Sequence, residues 1–140
     1  MILGGVHIDF ARGLAGHSDA DVVLHAVTDA LLGAAGLGDI GELFPDTDPI
    51  WRGADSTLFV YETVNKLAVM GWRVGNIDVT IFAQEPKLGP HKAAIKANLA
   101  RLLSVDESAI NVKAKTGEQV GHIGRGEAIG CHAIVSIERS

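Results

Sequence analysis

The spacing of apolar residues along the chain switches between the period of a helix and that of a strand. The opening MILGGVHIDFARG gives short β-prone pieces broken by Gly4, Gly5 and Gly13, which predicts a hairpin or a strand with its turn. From Ser18 the pattern turns helical. Ser18 is a good N-cap, Asp19 and Asp21 suit the positive end of a helix, and apolar residues recur through Leu32. The spacing predicts a helix over 18–36, stopped near Gly36 and Gly38. GDIGELFPDTDPIWRGADS holds only short apolar pieces among Gly, Pro and Asp, so it predicts a long loop with one helical turn. Asp55 or Ser56 opens a second helix, with Leu58, Val60, Tyr61, Val64, Leu67 and Ala68 at helical spacing up to Gly71.

The pattern then shortens to period two. In WRVGNIDVTIFAQ, Ile77, Val79, Ile81 and Ala83 alternate with Asp78, Thr80 and Phe82, as in a strand with one face buried. Pro86 and Pro90 frame a turn, and HKAAIKANLARLLSV forms a third helix with Ala94, Ile95, Leu99, Leu102 and Leu103 on one side. INVKAKT is a strand, GEQVGHIGRGE a glycine-punctuated loop, and AIGCHAIVSIER the last strand. This order implies one α/β or α+β layer over residues 1–140 with helices covering one face of a sheet, and the expected class is α+β, a mixed β-sheet with helices packed on one face.

Composition narrows the picture. Hydrophobic residues make up 47% of the chain and aromatics 5%, so the core is expected to be aliphatic. The net charge is -5 with Lys and Arg scattered, which leaves no footprint for a nucleic-acid backbone. Cys131 is the single cysteine, so neither an intrachain disulfide nor a cysteine pair for zinc is available. No apolar run reaches the length of a membrane span and no signal-peptide pattern opens the chain, so a cytoplasmic protein without membrane partners is expected.

Several polar groups stand out against this background. Ser18, Asp21, His25 and Asp29 are spaced by three, four and four, one stripe on an otherwise apolar helix. For Asp21 and Asp29 the ordinary explanation is a water-facing edge; the functional one is the border of a polar cleft. His25 by itself is better explained as a core histidine satisfied by a neighbour than as a metal ligand, because one imidazole does not make a site. Asp39, Glu42, Asp46 and Asp48 crowd the long loop and suit a divalent cation or polyol hydroxyls, although solvated Asx turns explain them nearly as well. AQEPKLGP could present backbone groups to a flat ligand, or be a plain proline turn. In TGEQVGHIGRGE, Gly117, Gly121, Gly124 and Gly126 permit close approach to phosphate, Arg125 is a fork-shaped donor, and Glu118 could hold magnesium; the alternative is a simple turn before the last strand.

Taken together, GLAGHSDADVVLHAVTDALLGAAGLGDIGELFPDTDP, GNIDVTIFAQEPKLGPH and NVKAKTGEQVGHIGRGEAIGC resemble the 2-C-methyl-D-erythritol 2,4-cyclodiphosphate synthase family of non-mevalonate isoprenoid biosynthesis. The resemblance runs over nearly the whole chain. It implies a homotrimer with active sites between subunits, and conversion of 4-diphosphocytidyl-2-C-methyl-D-erythritol 2-phosphate to the cyclic diphosphate with release of CMP. The alternative is a metal-deficient homologue that binds cytidine nucleotide or isoprenoid diphosphate without turnover.

By the same resemblance, His17 and Ser18 contact substrate phosphate, and His17 with Thr116 stabilises the transition state. His25 matches a zinc ligand. Asp39, Ile40 and Gly41, with Phe44, Pro45, Asp46, Thr47 and Asp48, match the methylerythritol pocket. Ala83, Gln84, Glu85, Pro86, Lys87, Leu88 and Gly89 match a cytidine pocket lent by the adjoining subunit. Lys115, Thr116, Gly117, Glu118, His122 and Arg125 match the diphosphate-handling loop, with Glu118 a ligand for magnesium or manganese.

Three departures from the family pattern stand out. The family's opening strand ends in an Asp-x-His pair that supplies two zinc ligands, and this chain begins after it, as a truncation, a start-site error or a segment fused behind a cytidylyltransferase domain would. The 140-residue chain alone is therefore expected to bind zinc poorly. His122 replaces a usual Phe, and Lys115 a common Thr. The resemblance implies a cytoplasmic enzyme, or one of the plastid stroma in a eukaryote.

Overall fold

The computed structural model describes residues 1–10 and 21–140. His17, Ser18 and the expected helix start all lie outside the described residues. Strands β1 (Ile2–Leu3) and β2 (Val6–His7) form the antiparallel hairpin expected from the glycines, with Leu3 opposite Val6 across Gly4 and Gly5. Both glycines have positive φ, at 61° and 78°, which the two-residue turn requires.

Helix α1 spans Val22–Ala34 and begins later than the expected 18–36. Its N-cap is Asp21 rather than Ser18. The Asp21 carboxylate is only 2% exposed, which overturns the expectation that this residue faces water. Its Oδ1 accepts from the backbone N–H of Gly4 (2.9 Å), Val23 (3.1 Å) and Leu24 (3.0 Å), and its Oδ2 from Gly5 (2.7 Å). One side chain therefore closes the helix N-terminus and clamps the hairpin turn onto it. Asn98 clamps the same turn from the other side, donating from Nδ2 to the Gly4 carbonyl at 2.7 Å.

The long loop contains one helical turn, α2 (Ile40–Leu43), capped by Asp39. Helix α3 (Ser56–Val69) starts where expected, capped by Asp55, and leads into β3 (Trp72–Phe82). Helix α4 (Lys92–Leu103) buries Ile95, Leu99, Ala100, Leu102 and Leu103, whereas Ala94, expected on that face, is exposed. β4 (Ile110–Lys115), the short α5 (Gly121–Gly124) and β5 (Gly130–Arg139) complete the chain.

β3 is the central strand of a mixed sheet, parallel to β4 and antiparallel to β5. Ile77, Val79 and Ile81 are buried toward the helices, as the period of two requires. They meet Val23, Val27 and Leu31 of α1, Val60 and Leu67 of α3, and Leu99 and Leu102 of α4 in one aliphatic core. On the other face Asp78 is paired with Lys113 at 2.8 Å and with Asn111, which hold its carboxyl below the usual range. Cys131 packs against the core, and burial, aided by the negative charge of Asp21, pushes its thiol up to about 12. No helix among the described residues is long and apolar enough to cross a membrane.

Candidate active site

The aliphatic stripe of α1 buries Val23, Leu24 and Val27 and leaves His25 half-buried at the edge of the core. Its Nε2 lies 2.9 Å from Oγ of Ser56, the first residue of α3, so the imidazole is satisfied by a neighbour. One turn further on, Asp29 is exposed as expected, yet its Oδ1 accepts from the backbone N–H of Ile40 at 2.8 Å. Asp39 accepts from Glu42 N at the same distance. Two carboxylates therefore fix the entry to α2, and the polar stripe of α1 positions the loop that follows it.

That loop and the start of α3 enclose a cleft of about 510 Å³. Ile40, Gly41, Phe44, Pro45, Asp46 and Thr47 line it, together with His25. Asp48 shapes the same loop: its Oδ1 accepts from Ile50 N at 3.0 Å and its carbonyl from Trp51 N at 3.0 Å. Five residues absent from the sequence-based set also contribute, namely Trp51, Gly53, Ala54, Ser56 and Phe59. Phe44 stacks on Phe59 with centroids 5.1 Å apart, and Trp51 meets Phe44 edge-on at 4.8 Å.

A second group of expected residues gathers at the C-terminal ends of β3 and β4. Ala83 N donates to the Lys115 carbonyl at 2.9 Å, and Gln119 N to Oε1 of Gln84 at 3.1 Å. The turn containing Glu85, Pro86 and Lys87 is thus tied to the segment containing Lys115 and Thr116. The Glu85–Pro86 peptide is cis, and Gly89–His91 forms a single 3-10 turn. Ala83 and Leu88 are buried, so they hold this turn in place, while Lys87 and Gly89 are exposed. Thr116 Oγ1 accepts from Glu118 N at 3.1 Å, and Lys115 and Thr116 are both exposed.

The glycine loop folds tightly on itself. A side chain on Gly117 would meet the Gly124 backbone, and one on Gly124 would meet the Gln119 backbone. Glu118 and Gln119 adopt left-handed φ values of 52° and 63° in the crossing this creates. Beyond it, Arg125 Nε donates to Glu127 Oε1 at 2.8 Å, and His122 Nδ1 lies 2.9 Å from Glu127 Oε2. Arg125, then His122, hold the Glu127 carboxyl down at about 2, and the same contact raises the Arg125 guanidinium.

Among the described residues no group of three or more His, Cys, Asp or Glu side chains could hold an ion. His25 offers one imidazole already bonded to Ser56, and Glu118 one exposed carboxylate. These residues do not fit a tetrahedral zinc or an octahedral magnesium site by themselves.

A model of the YgbB family matches residues 1–138. The chain belongs to the YgbB family. It is 55% identical over 140 residues to the 2-C-methyl-D-erythritol 2,4-cyclodiphosphate synthase of Bordetella pertussis, covering 100% of this chain and 86% of that protein. Among solved structures it is similar to the bifunctional IspDF from Campylobacter jejuni, with a TM-score of 0.93 and 45% identity. That match covers 100% of this chain and 38% of the larger one. A 2C-methyl-D-erythritol-2,4-cyclodiphosphate synthase solved in a CDP-bound form matches with a TM-score of 0.85 and 37% identity, covering 99% of this chain and 89% of that chain.

Trp51, Gly53, Ala54, Ser56 and Phe59 in the cleft, and Glu127 beside His122 and Arg125, do not stand out as site residues in the sequence. Ser56 was legible as a helix start and Glu127 as the end of the GRGE block. Nothing in their spacing ties Ser56 to His25, or Glu127 to His122.

Proposed function

We propose that this YgbB family protein converts 4-diphosphocytidyl-2-C-methyl-D-erythritol 2-phosphate to 2-C-methyl-D-erythritol 2,4-cyclodiphosphate and releases CMP. Membership of a family whose 55% identical relative carries that activity in its name supports the reading. The observation in the fold that carries it is the cleft beside His25, where Asp46, Thr47 and Ser56 face an aromatic wall, a lining that suits a branched polyol.

The chemistry asks little of a protein nucleophile. An oxygen of the 2-phosphate forms a bond to the β-phosphorus of the diphosphate. The bond from that phosphorus to the oxygen bridging the α-phosphate breaks, and the electron pair leaves with CMP. Nucleophile and leaving group belong to one molecule, so the protein must hold them in line and neutralise the charge on the equatorial oxygens. We assign that role to the exposed Lys115 ammonium and Thr116 hydroxyl, and to His17 by resemblance. Zinc at His25 and magnesium or manganese at Glu118 belong to the same proposal, each needing ligands from beyond the described residues, and the steps given use side chains alone.

We further propose a homotrimer with shared sites in a cytoplasmic enzyme. The cleft lining includes none of residues 83–89 or 115–125, while those two segments are bonded to each other. Two half-sites on one chain suit completion by a neighbouring copy, and the CDP-bound relative supports a cytidine nucleotide as ligand.

The test is CMP release from the diphosphocytidyl substrate, followed by mixing two inactive variants. Asp46→Ala removes one half-site and Thr116→Ala the other. Recovered activity in the mixed oligomer is the expected result. Binding of CMP by calorimetry with no release from the substrate would refute the enzyme reading, and no recovery on mixing would refute shared sites.

A further inference from the structure

We propose that Trp51 is a specificity-determining residue, supplying the apolar surface that selects a C-methyl-branched polyol over its unbranched counterpart. The inference rests on the proposed activity and deepens it. Asp46 and Thr47 in the cleft lining offer polar partners for hydroxyls, but a methyl branch needs an apolar wall.

Three aromatic rings could provide that wall, and two of them are already used. Phe44 and Phe59 stack on one another and are 5% and 8% exposed, so their faces are spent on the protein. Trp51 crosses Phe44 at 75° and tilts toward Phe59 with centroids 6.1 Å apart, yet it remains half-buried and lines the cleft. Of the three rings, the indole is therefore the one that keeps surface for a ligand. Its position is set by the loop: Trp51 N donates to the Asp48 carbonyl at 3.0 Å, and Arg52 N to the same carbonyl at 3.1 Å. The ring thus stands on the same turn as Asp46 and Thr47, so one loop carries the groups for the hydroxyls and the surface for the methyl.

The experiment compares kcat/KM for the 2-C-methyl substrate with that for the same molecule lacking the methyl group. The wild-type protein is expected to prefer the methylated substrate by about tenfold or more, the range for one methyl in an apolar pocket. Trp51→Ser is expected to bring the ratio within about twofold of unity, and Trp51→Phe to keep most of it. A Trp51→Ser protein that loses activity toward both substrates in equal proportion, keeping the wild-type ratio, would overturn the proposal.

A second measurement leaves position 51 intact. Trp51 and Trp72 are the two tryptophans, and Trp72 lies under the Arg139 guanidinium at 3.8 Å, so Trp72→Phe isolates the Trp51 emission. The cyclic diphosphate product should change that emission more than its des-methyl analogue does. Unchanged emission at saturating product would count against the role. No CMP release from either substrate in the wild-type protein overturns the activity itself, whereas release with an unaltered ratio in Trp51→Ser overturns only the role of Trp51.

Discussion

Replacing Asp21 by Ala removes the acceptor for the N–H groups of Gly4, Gly5, Val23 and Leu24 at once, in a place where the side chain is 2% exposed. The two helix donors lose an N-cap, worth about 1 kcal/mol. The two hairpin donors are buried or part-buried, and stranding each costs about 1–3 kcal/mol. The expected loss is therefore about 3–7 kcal/mol, a large share of the stability of an ordinary domain. Urea unfolding followed by far-UV circular dichroism reads this as a midpoint lowered by about 1.5–3.5 M at an unchanged slope of about 2 kcal/mol per M. Asp21→Asn keeps an oxygen for the three donors on Oδ1 but turns an amide nitrogen toward Gly5 N–H, so an intermediate loss is expected. A loss below about 1 kcal/mol for Asp21→Ala, the size seen for surface positions, would refute the view that one carboxylate clamps hairpin and helix.

Three further outcomes follow from the second half of the chain. Glu127 should titrate by carbon-13 NMR with a midpoint at about 2: its folded value is depressed, so the pairing with Arg125 and His122 is present above the ordinary carboxylate range and lost as pH falls through about 2. Arg125→Ala should return that midpoint toward 4.5, and a wild-type midpoint already there would contradict the pairing. Gly124→Ala places a methyl group on the Gln119 backbone and should cost about 1–3 kcal/mol, with faster hydrogen exchange across 117–127; wild-type exchange would show that the crossing of the loop is not tight. Cys131, its thiol pushed up to about 12, should be alkylated at pH 8 at least about a hundredfold more slowly in the folded protein than in urea, and equal rates would count against its burial.

Local periodicity was enough to locate β3, β4, α3 and α4, because each buries one face against a single core and the alternation records that face residue by residue. The hairpin too was written locally, in two glycines that need positive φ. The start of α1 was not: Ser18 and Asp21 are both good caps in a sequence, and Asp21 won because it also bonds a hairpin some 16 residues earlier. The site divides in the same way. The blocks proposed to handle phosphate and polyol are contiguous stretches that stand out in the sequence, whereas the Ser56 contact to His25, the aromatic stack behind Trp51 and the anchoring of α2 by Asp29 join residues from different elements. A sequence carries propensity, period and short motifs; which polar groups meet across a core depends on how the helices lie on the sheet, and only the folded chain decides that.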